Sequence, residues 1–474
     1  MPPPRGRLLS DCSLAASPFR LHRRRLATLP ASSVNSARRP APHDAPPITQ
    51  LRLSPARLHI YRSSSTDPFF NLSAEDYLLR HSPSDSTILF TYTNAPSIVI
   101  GRNQNPWAEV NMPLLLQQQE RQKESADDET SAVRLVRRRS GGGTVYHDLG
   151  NLCWSVIMPR KEFDRDVNAH MVVRALRKLG VASAAVNERH DIVLRGAGGD
   201  KKVSGSAYKI VRERAYHHAT LLLDSHLAAL GSLLDSPLRP FLQTQGVASV
   251  RSSVANIGVR KETLVDAIEA EFLTRNDAKD GEVSRVTLGQ ETAQERDYIR
   301  EGMEELQSSK WLYNQTPRCT LTIPPETRLP ELPGLPNVTP ILPEHARFSL
   351  MVERGRVVHA SVTTSPDPDF AFVQSQDAHG CLLNKPFAGP DLADGIAQTQ
   401  SLDKSVMGAI TNWLEHAVGA WGGGEWDRNT TTDGNLTMRE RSRRRVDKRI
   451  AQAKTAKDEG TETEETSPST TNTK

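Results

Sequence analysis

Residues 137–151 read RRRSGGGTVYHDLGN, and no other stretch restricts the fold as much. Three consecutive glycines cost about 1 kcal/mol each relative to alanine inside regular structure, so Gly141, Gly142 and Gly143 mark a turn or a place where backbone approaches something closely. The flanking RLV and NLCWSVIM are β-rich, so the stretch is expected to be two strands joined by the glycine turn. Freed backbone N–H groups make a nest for an anion, and the arginines supply charge that a phosphate or carboxylate favours. Side chains alternate along a strand, so only one or two of the three arginines should reach a ligand. A second triplet in WGGGEW, 421–426, has no adjacent arginine and is the weaker candidate. The chain has no G-x-x-x-x-G-K-[ST] loop and no G-x-G-x-x-G after a strand, which disfavours the common nucleotide folds.

The rest of the chain narrows the class. Its 474 residues, 37% of them hydrophobic and 24% charged, suffice for more than one core. Sixty basic against 56 acidic residues leave a formal charge of +4, so recognition by charge must be local. Cys12, Cys153, Cys319 and Cys381 are scattered, which excludes a disulfide framework and argues against a thiolate zinc site. No run of about 18 apolar residues exists, so an integral membrane protein is not expected. Arginines at 5, 7, 20, 23, 24, 25, 38 and 39 face one acid, Asp11, within the first 40 residues. That composition reads as a mitochondrial presequence. Near the other end, RERSRRRVDKR at 439–449 is basic but lacks interleaved aromatics and precedes an acidic tail, so nucleic acid is not an expected partner.

Elements follow from periodicity. In NLSAEDYLLRH, Ser73 precedes Asp76 by three and Leu72 can staple onto Tyr77, which predicts a helix start at Ser73. Strands are predicted at TILFTYT, SIVIG, 191–194, 202–210 and 214–223. AHMVVRALRKLG should be a helix ending at Gly180, and 261–273 a helix with Leu264, Val265, Ile268 and Phe272 on one face. The polar 117–133 reads as a surface insertion or frayed helix. Proline-rich 322–343 precedes strand-like 347–362 and a helix near KSVMGAITNWLEHAV. The expected organisation is a presequence or disordered arm over 1–48, an α+β catalytic domain over 49–310, a smaller α/β accessory domain over 311–425, and a disordered charged tail over 426–474.

Two further segments carry chemistry. In GDKKVSGSAYK, Lys202 beside an activated acyl phosphate could bind both carbonyl oxygen and α-phosphate as charge shifts between them. In NERHDIVL, Asp191 opens a strand where a carboxylate could hold Mg2+. Cys153 lies in an apolar strand and reads as core; as a nucleophile it would point instead to acyltransferases that work through a cysteine thioester.

Taken in order, GRNQNPWAEVN, RRRSGGGTVYHDLGN, KKVSGSAYK, AYHHATLLLD and VASVRSSVANI resemble the lipoate-protein ligase A family. The resemblance spans about 60–275, and SSKWLYNQTPRCTL with 345–420 is similar to the family's accessory domain. It implies a biotin/lipoate ligase-like catalytic fold of mixed sheets with flanking helices. It also implies a two-step reaction: lipoate and MgATP give lipoyl-AMP, and the lipoyl group then passes to a carrier lysine. The implied carriers are lipoyl domains of 2-oxoacid dehydrogenase E2 subunits and the glycine-cleavage H protein. On this resemblance Arg138, the glycine loop and Thr144, Val145 and Tyr146 contact nucleotide or adenylate, while His147 and Asn151 shape the pocket. Lys202 touches lipoate and α-phosphate, and Asp191 is the magnesium-proximal acid. Two positions depart from the family pattern: Ala219 stands where glycine is usual, and His190 where many members have asparagine. Biotin ligases share the broad fold, but their arginine-glycine adenylate loop is absent here. An ATP-independent lipoyl or octanoyl transferase, drawing on acyl-CoA or a lipoylated carrier, uses the same scaffold and stays open as the alternative.

Overall fold

The computed structural model describes residues 56–124, 132–279, 281–323 and 346–419. The presequence reading, the proline-rich run, WGGGEW and the charged tail lie wholly or almost wholly outside those residues. The strands are β1 Leu58–Ser63, β2 Thr87–Tyr92, β3 Ser97–Ile100, β4 Arg134–Arg137, β5 Val145–His147, β6 Asn151–Pro159, β7 Ala184–Val186 and β8 Ile192–Leu194. They continue with β9 Lys201–Lys202, β10 Ser206–Val211, β11 Arg214–Leu222, β12 Leu242–Thr244, β13 Val283–Leu288, β14 Cys319–Ile323, β15 Arg347–Glu353 and β16 Arg356–Thr363.

Six of them form a mixed sheet in the order β10-β11-β6-β2-β1-β13. β6 and β11 are nine-residue antiparallel partners buried along their whole length, with Thr220 opposite Cys153 and His218 opposite Ser155. Helices Arg165–Lys178 and Lys261–Arg275 pack their apolar residues into the core over one face of this sheet. Leu264, Val265, Ile268 and Phe272 are all buried there, as their spacing requires. The first of these helices starts on Asp164, whose side chain accepts from the N–H of Asp166 and Val167, and is followed by Gly180 at φ +90°.

Helix Pro68–His81 begins five residues before the predicted start. Asp67 is the cap: its carboxylate accepts from the N–H of Phe69 at 2.8 Å, and Pro68 occupies the first turn, where its missing N–H costs nothing. Ser73 is instead wholly buried inside the helix. The first part of 117–133 continues a helix spanning Met112–Glu124.

The glycine turn is not a hairpin. β4 and β5 do not pair with each other; both pair with β3, β4 in parallel and β5 antiparallel, giving the order β4-β3-β5. The loop between them therefore has to cross the end of β3, where Gly101 follows. The predicted strand 202–210 is also broken, with β9 joining β7 and β8 in a separate small sheet while β10 edges the large one.

A fourth sheet, β12-β14-β15-β16, carries the C-terminal part, with helix Lys404–Val418 where the pattern predicted one. Its first strand comes from residues before 311, so the sheet spans the expected domain boundary. One apolar cluster likewise joins Ile98 and Trp107 to Phe348, Phe387 and Trp413.

Candidate active site

The three arginines divide as strand alternation requires. Arg138 faces a cavity of about 240 Å3 and moulds its wall. Its Nε donates to Ser140 Oγ at 2.9 Å, Nη1 to the carbonyl of Val99 at 3.1 Å, and Nη2 to the carbonyls of Gly141 and, at 2.8 Å, Gly143. Arg137 turns the other way and is held by backbone oxygens, including Gln104 O at 2.7 Å and Leu312 O at 2.8 Å, and by the Thr316 hydroxyl. Arg139, on the same side as Arg137, pairs with Glu305 at 2.7 Å. Burial lowers the Arg137 and Arg138 guanidinium groups to about 9 and about 10, which leaves both charged at neutral pH.

The glycines have specific reasons to be glycine. Gly142 sits at φ +83°, and a Cβ on Gly101 would lie 2.1 Å from Gly142 O, so the loop passes β3 only because position 101 has no side chain. Thr144 fixes the far end: its N–H donates to Ser249 Oγ at 2.9 Å and its hydroxyl to Gln104 Oε1 at 2.9 Å. Gln104 completes the clamp by accepting from the N–H of Gly101 at 2.8 Å and donating to Ser249 Oγ at 3.0 Å. Gly101, Gln104 and Ser249 all lie in sequence motifs quoted above, but nothing in their spacing assigns them to one another.

Across the cavity, Lys202 Nζ lies 2.8 Å from Asp191 Oδ2, and both residues line the wall with Arg189, Gly205, Ser206 and Thr220. β9 is held from outside, where Lys202 N–H donates to Ser253 O at 2.8 Å. A stem fixed by backbone bonding and an amine anchored on a carboxylate preset the lysine for a ligand entering between it and the glycine loop. His190, next to Asp191, has φ +61°, a conformation asparagine adopts more readily, and its ring is held by Asp166 and Arg165.

The closed end of the cavity is made by buried, mutually bonded groups. His147 accepts from the Asn94 amide through Nδ1 at 2.9 Å and carries its proton on Nε2. Burial, then the nearby Arg138 and His218, lowers its pKa to about 3, so the ring is neutral. His218 lies with Nδ1 2.9 Å from Glu75 Oε2 and Nε2 2.8 Å from Ser140 Oγ. That links the cavity floor to the residue holding Arg138 Nε. Cys153 lines this end, 3.7 Å from His147 Nδ1, and burial pushes its thiol far above the ordinary range. A thiol kept protonated is a poor nucleophile, which argues against a cysteine thioester. Gly142, Gly143, Thr144, Val145, His147, Arg138, Asp191 and Lys202 thus converge on one cavity. Gly141, Tyr146 and Asn151 are not on its lining: Tyr146 alternates away from Val145 and His147 into the apolar core, and Asn151 sits behind Cys153, donating to its sulfur at 3.3 Å. Ala219, where the family resemblance implied glycine, lines the wall, and Tyr92 and His218, with Glu75 behind His218, are residues that the sequence alone did not single out.

Asp191 is a lone acid for a cation. Among the described residues no group of three or more His, Cys, Asp or Glu side chains is placed to hold a metal. One carboxylate does fit a magnesium ion whose remaining ligands are water and substrate phosphates.

This mixed-sheet α+β domain, with its glycine loop and anchored lysine on one cavity, is similar to the lipoyl protein ligase A/B catalytic domain, whose family model matches residues 67–273. A candidate lipoate-protein ligase A of Schizosaccharomyces pombe is 41% identical over 271 residues, covering 53% of this chain and 70% of the relative. The chain belongs to the lipoate-protein ligase family. Among solved structures, P. falciparum LipL1 in complex with lipoate is similar over 75% of this chain and 99% of its own, at 20% identity and TM-score 0.44. The Thermoplasma acidophilum bipartite lipoate protein ligase, studied with its E2 lipoyl domain, is similar over 54% of this chain and 95% of its own, at 25% identity and TM-score 0.43.

Proposed function

We propose that this enzyme activates free lipoate with MgATP and passes the lipoyl group to a lysine of a carrier domain. The observation that carries the reading is the Lys202–Asp191 pair facing, across one cavity, the glycine loop that Arg138 moulds. In the first step a lipoate carboxylate oxygen bonds to the α-phosphorus of ATP and pyrophosphate leaves. In the second the carrier amine bonds to the acyl carbon, the acyl C–O bond breaks, and AMP and a proton depart. Lys202 sits where it can balance charge on the carbonyl and α-phosphate oxygens in both steps, and no covalent enzyme intermediate is needed. The neutral His147 and the protonated Cys153 add no charge of their own where the sulfur-bearing tail would lie. Asp191, with substrate phosphates, would hold Mg2+, whose charge offsets that of the triphosphate.

Carriers would be lipoyl domains of 2-oxoacid dehydrogenase E2 subunits and the glycine-cleavage H protein, which fits a mitochondrial matrix location and the arginine-rich start of the chain. Among the described residues no helix is long and apolar enough to cross a membrane. The test is mass spectrometry of an apo-lipoyl domain after incubation with the enzyme and either lipoate plus MgATP or acyl-CoA without ATP. Modification of the carrier lysine with pyrophosphate release in the first mixture is expected. Modification only in the second would replace the ligase with an ATP-independent transferase.

A further inference from the structure

Residues 297–316 lie outside the stretch matched by the catalytic-domain profile, yet they form the backing of the glycine loop's strand. Arg137 and Arg139, on the side away from the cavity, are both met by this segment. Arg137 donates to Leu312 O at 2.8 Å and to Thr316 Oγ1 at 3.0 Å, and the Trp311 indole N–H donates back to Arg137 O at 2.8 Å. Arg139 pairs with Glu305 at 2.7 Å, and the guanidinium groups of Arg102 and Arg139 lie 4.4 and 5.4 Å from the Trp311 ring. The same segment reaches the opposite cavity wall. The Tyr298 hydroxyl donates to Asp76 at 2.7 Å, and the other oxygen of Asp76 holds Lys209 at 2.9 Å on β10, the strand that gives Ser206 and Ala207 to the cavity.

We infer that Glu305 and Trp311 are positioning residues for the glycine loop, holding the outer face of its strand so that Arg138 keeps the Gly141 and Gly143 carbonyls in place. The reason is geometric. Arg138 spends four donors on the loop and its surroundings, so the loop's shape depends on where the Arg138 backbone lies. That backbone is held on one side by β3, where Arg138 N–H donates to Ile100 O at 3.0 Å, and on the other through its two neighbours. Removing the Glu305 charge takes from the Arg139 guanidinium, whose side chain is only 6% exposed, its nearer carboxylate and leaves it Asp76 at 3.7 Å. Removing the indole N–H leaves Arg137 O without its bond. That the loop so held serves ATP rests on the ligase reading above; the mechanical claim does not.

Hydrogen exchange on the full chain separates the two. Trp311→Phe and Glu305→Gln should each speed exchange about fivefold in peptides covering 138–145, the worth of one hydrogen bond, with 151–159 at the parental rate. KM for MgATP should rise about fivefold with KM for lipoate unchanged, a split that general destabilisation does not produce. Parental protection at 138–145 in either variant overturns the inference, as does equal loss at 151–159 or a KM for MgATP within twofold of the parent in both. A parent chain that releases no pyrophosphate would sink the ligase reading alone, and exchange would then decide the positioning claim.

Discussion

At the scale of single residues, Lys202 is bound more by function than by packing. Its side chain is 24% exposed and meets one carboxylate, so Lys202→Ala removes an ion pair at a cavity edge and no core volume. Loss of one transition-state donor costs roughly 10²- to 10³-fold in kcat. We expect a fall of at least that size in pyrophosphate release and carrier modification, with a melting temperature close to the parent's; a fully active variant would remove the assignment. His217 shows the opposite balance. It is buried against the edge of Trp154 at 5.0 Å, neither ring nitrogen has a partner among the described residues, and burial lowers its pKa to about 3. The unfolded chain therefore takes up a proton near pH 6.5 that the folded one refuses until about pH 3. Stability present above pH 6.5 is lost across that window, at up to ~1.4 kcal/mol per pH unit for each such histidine. His147 behaves alike. His217→Phe should make the acid limb of a denaturant-midpoint titration shallower between pH 6 and 4; an unchanged limb would show that other groups set it.

At the scale of elements, the glycine loop's path past β3 makes its own prediction. Gly101→Ala places a methyl on Gly142 O, and neither backbone can yield without breaking the Gln104 clamp. Overpacking of this kind costs about 1–3 kcal/mol, and it should raise KM for MgATP more than it lowers the denaturant midpoint. A variant with parental KM would mean that the loop's exact path is irrelevant to the nucleotide. The same elements show what the sequence could and could not disclose. The loop was legible because glycine cost and guanidinium chemistry are local properties of fifteen adjacent residues. Helices 165–178 and 261–275 were legible because apolar spacing is local too. The pairing of β4 and β5 with β3, rather than with each other, is a tertiary choice that strand propensity does not contain. Glu75 with His218 and Arg139 with Glu305 join positions 143 and 166 residues apart, and nothing in either segment alone names the other. The capping pattern at Ser73 lies in the buried helix interior, because the cap is Asp67 with Pro68 in the first turn, which the sequence reading did not single out.

At the scale of the whole molecule, the described parts on either side of residue 311 should unfold together. Ordinary domains within a chain meet through modest, polar interfaces and separate without exposing much apolar surface. Here the C-terminal sheet takes its first strand from residues 242–244, and the cluster that contains Ile98 and Tyr146 also contains Leu321, Phe348 and Trp413. Trp107 is the hinge of that shared core: 1% exposed, it packs edge-on against Phe387 at 4.9 Å and tilted on Tyr313 at 5.5 Å. Cutting the chain at 310 would therefore bare part of the core behind β3 and β5 as well as discard the accessory sheet, so that fragment is expected to aggregate and to release no pyrophosphate. Trp107→Ala should cost about 3–5 kcal/mol, the usual range for emptying a large aromatic from a core. In calorimetry of the full chain we expect one transition for the described fold, displaced downward as a unit by Trp107→Ala. Two resolved transitions, with only the first one moved, would mean that the halves are independent and that the accessory sheet contributes nothing to holding the glycine loop's strand.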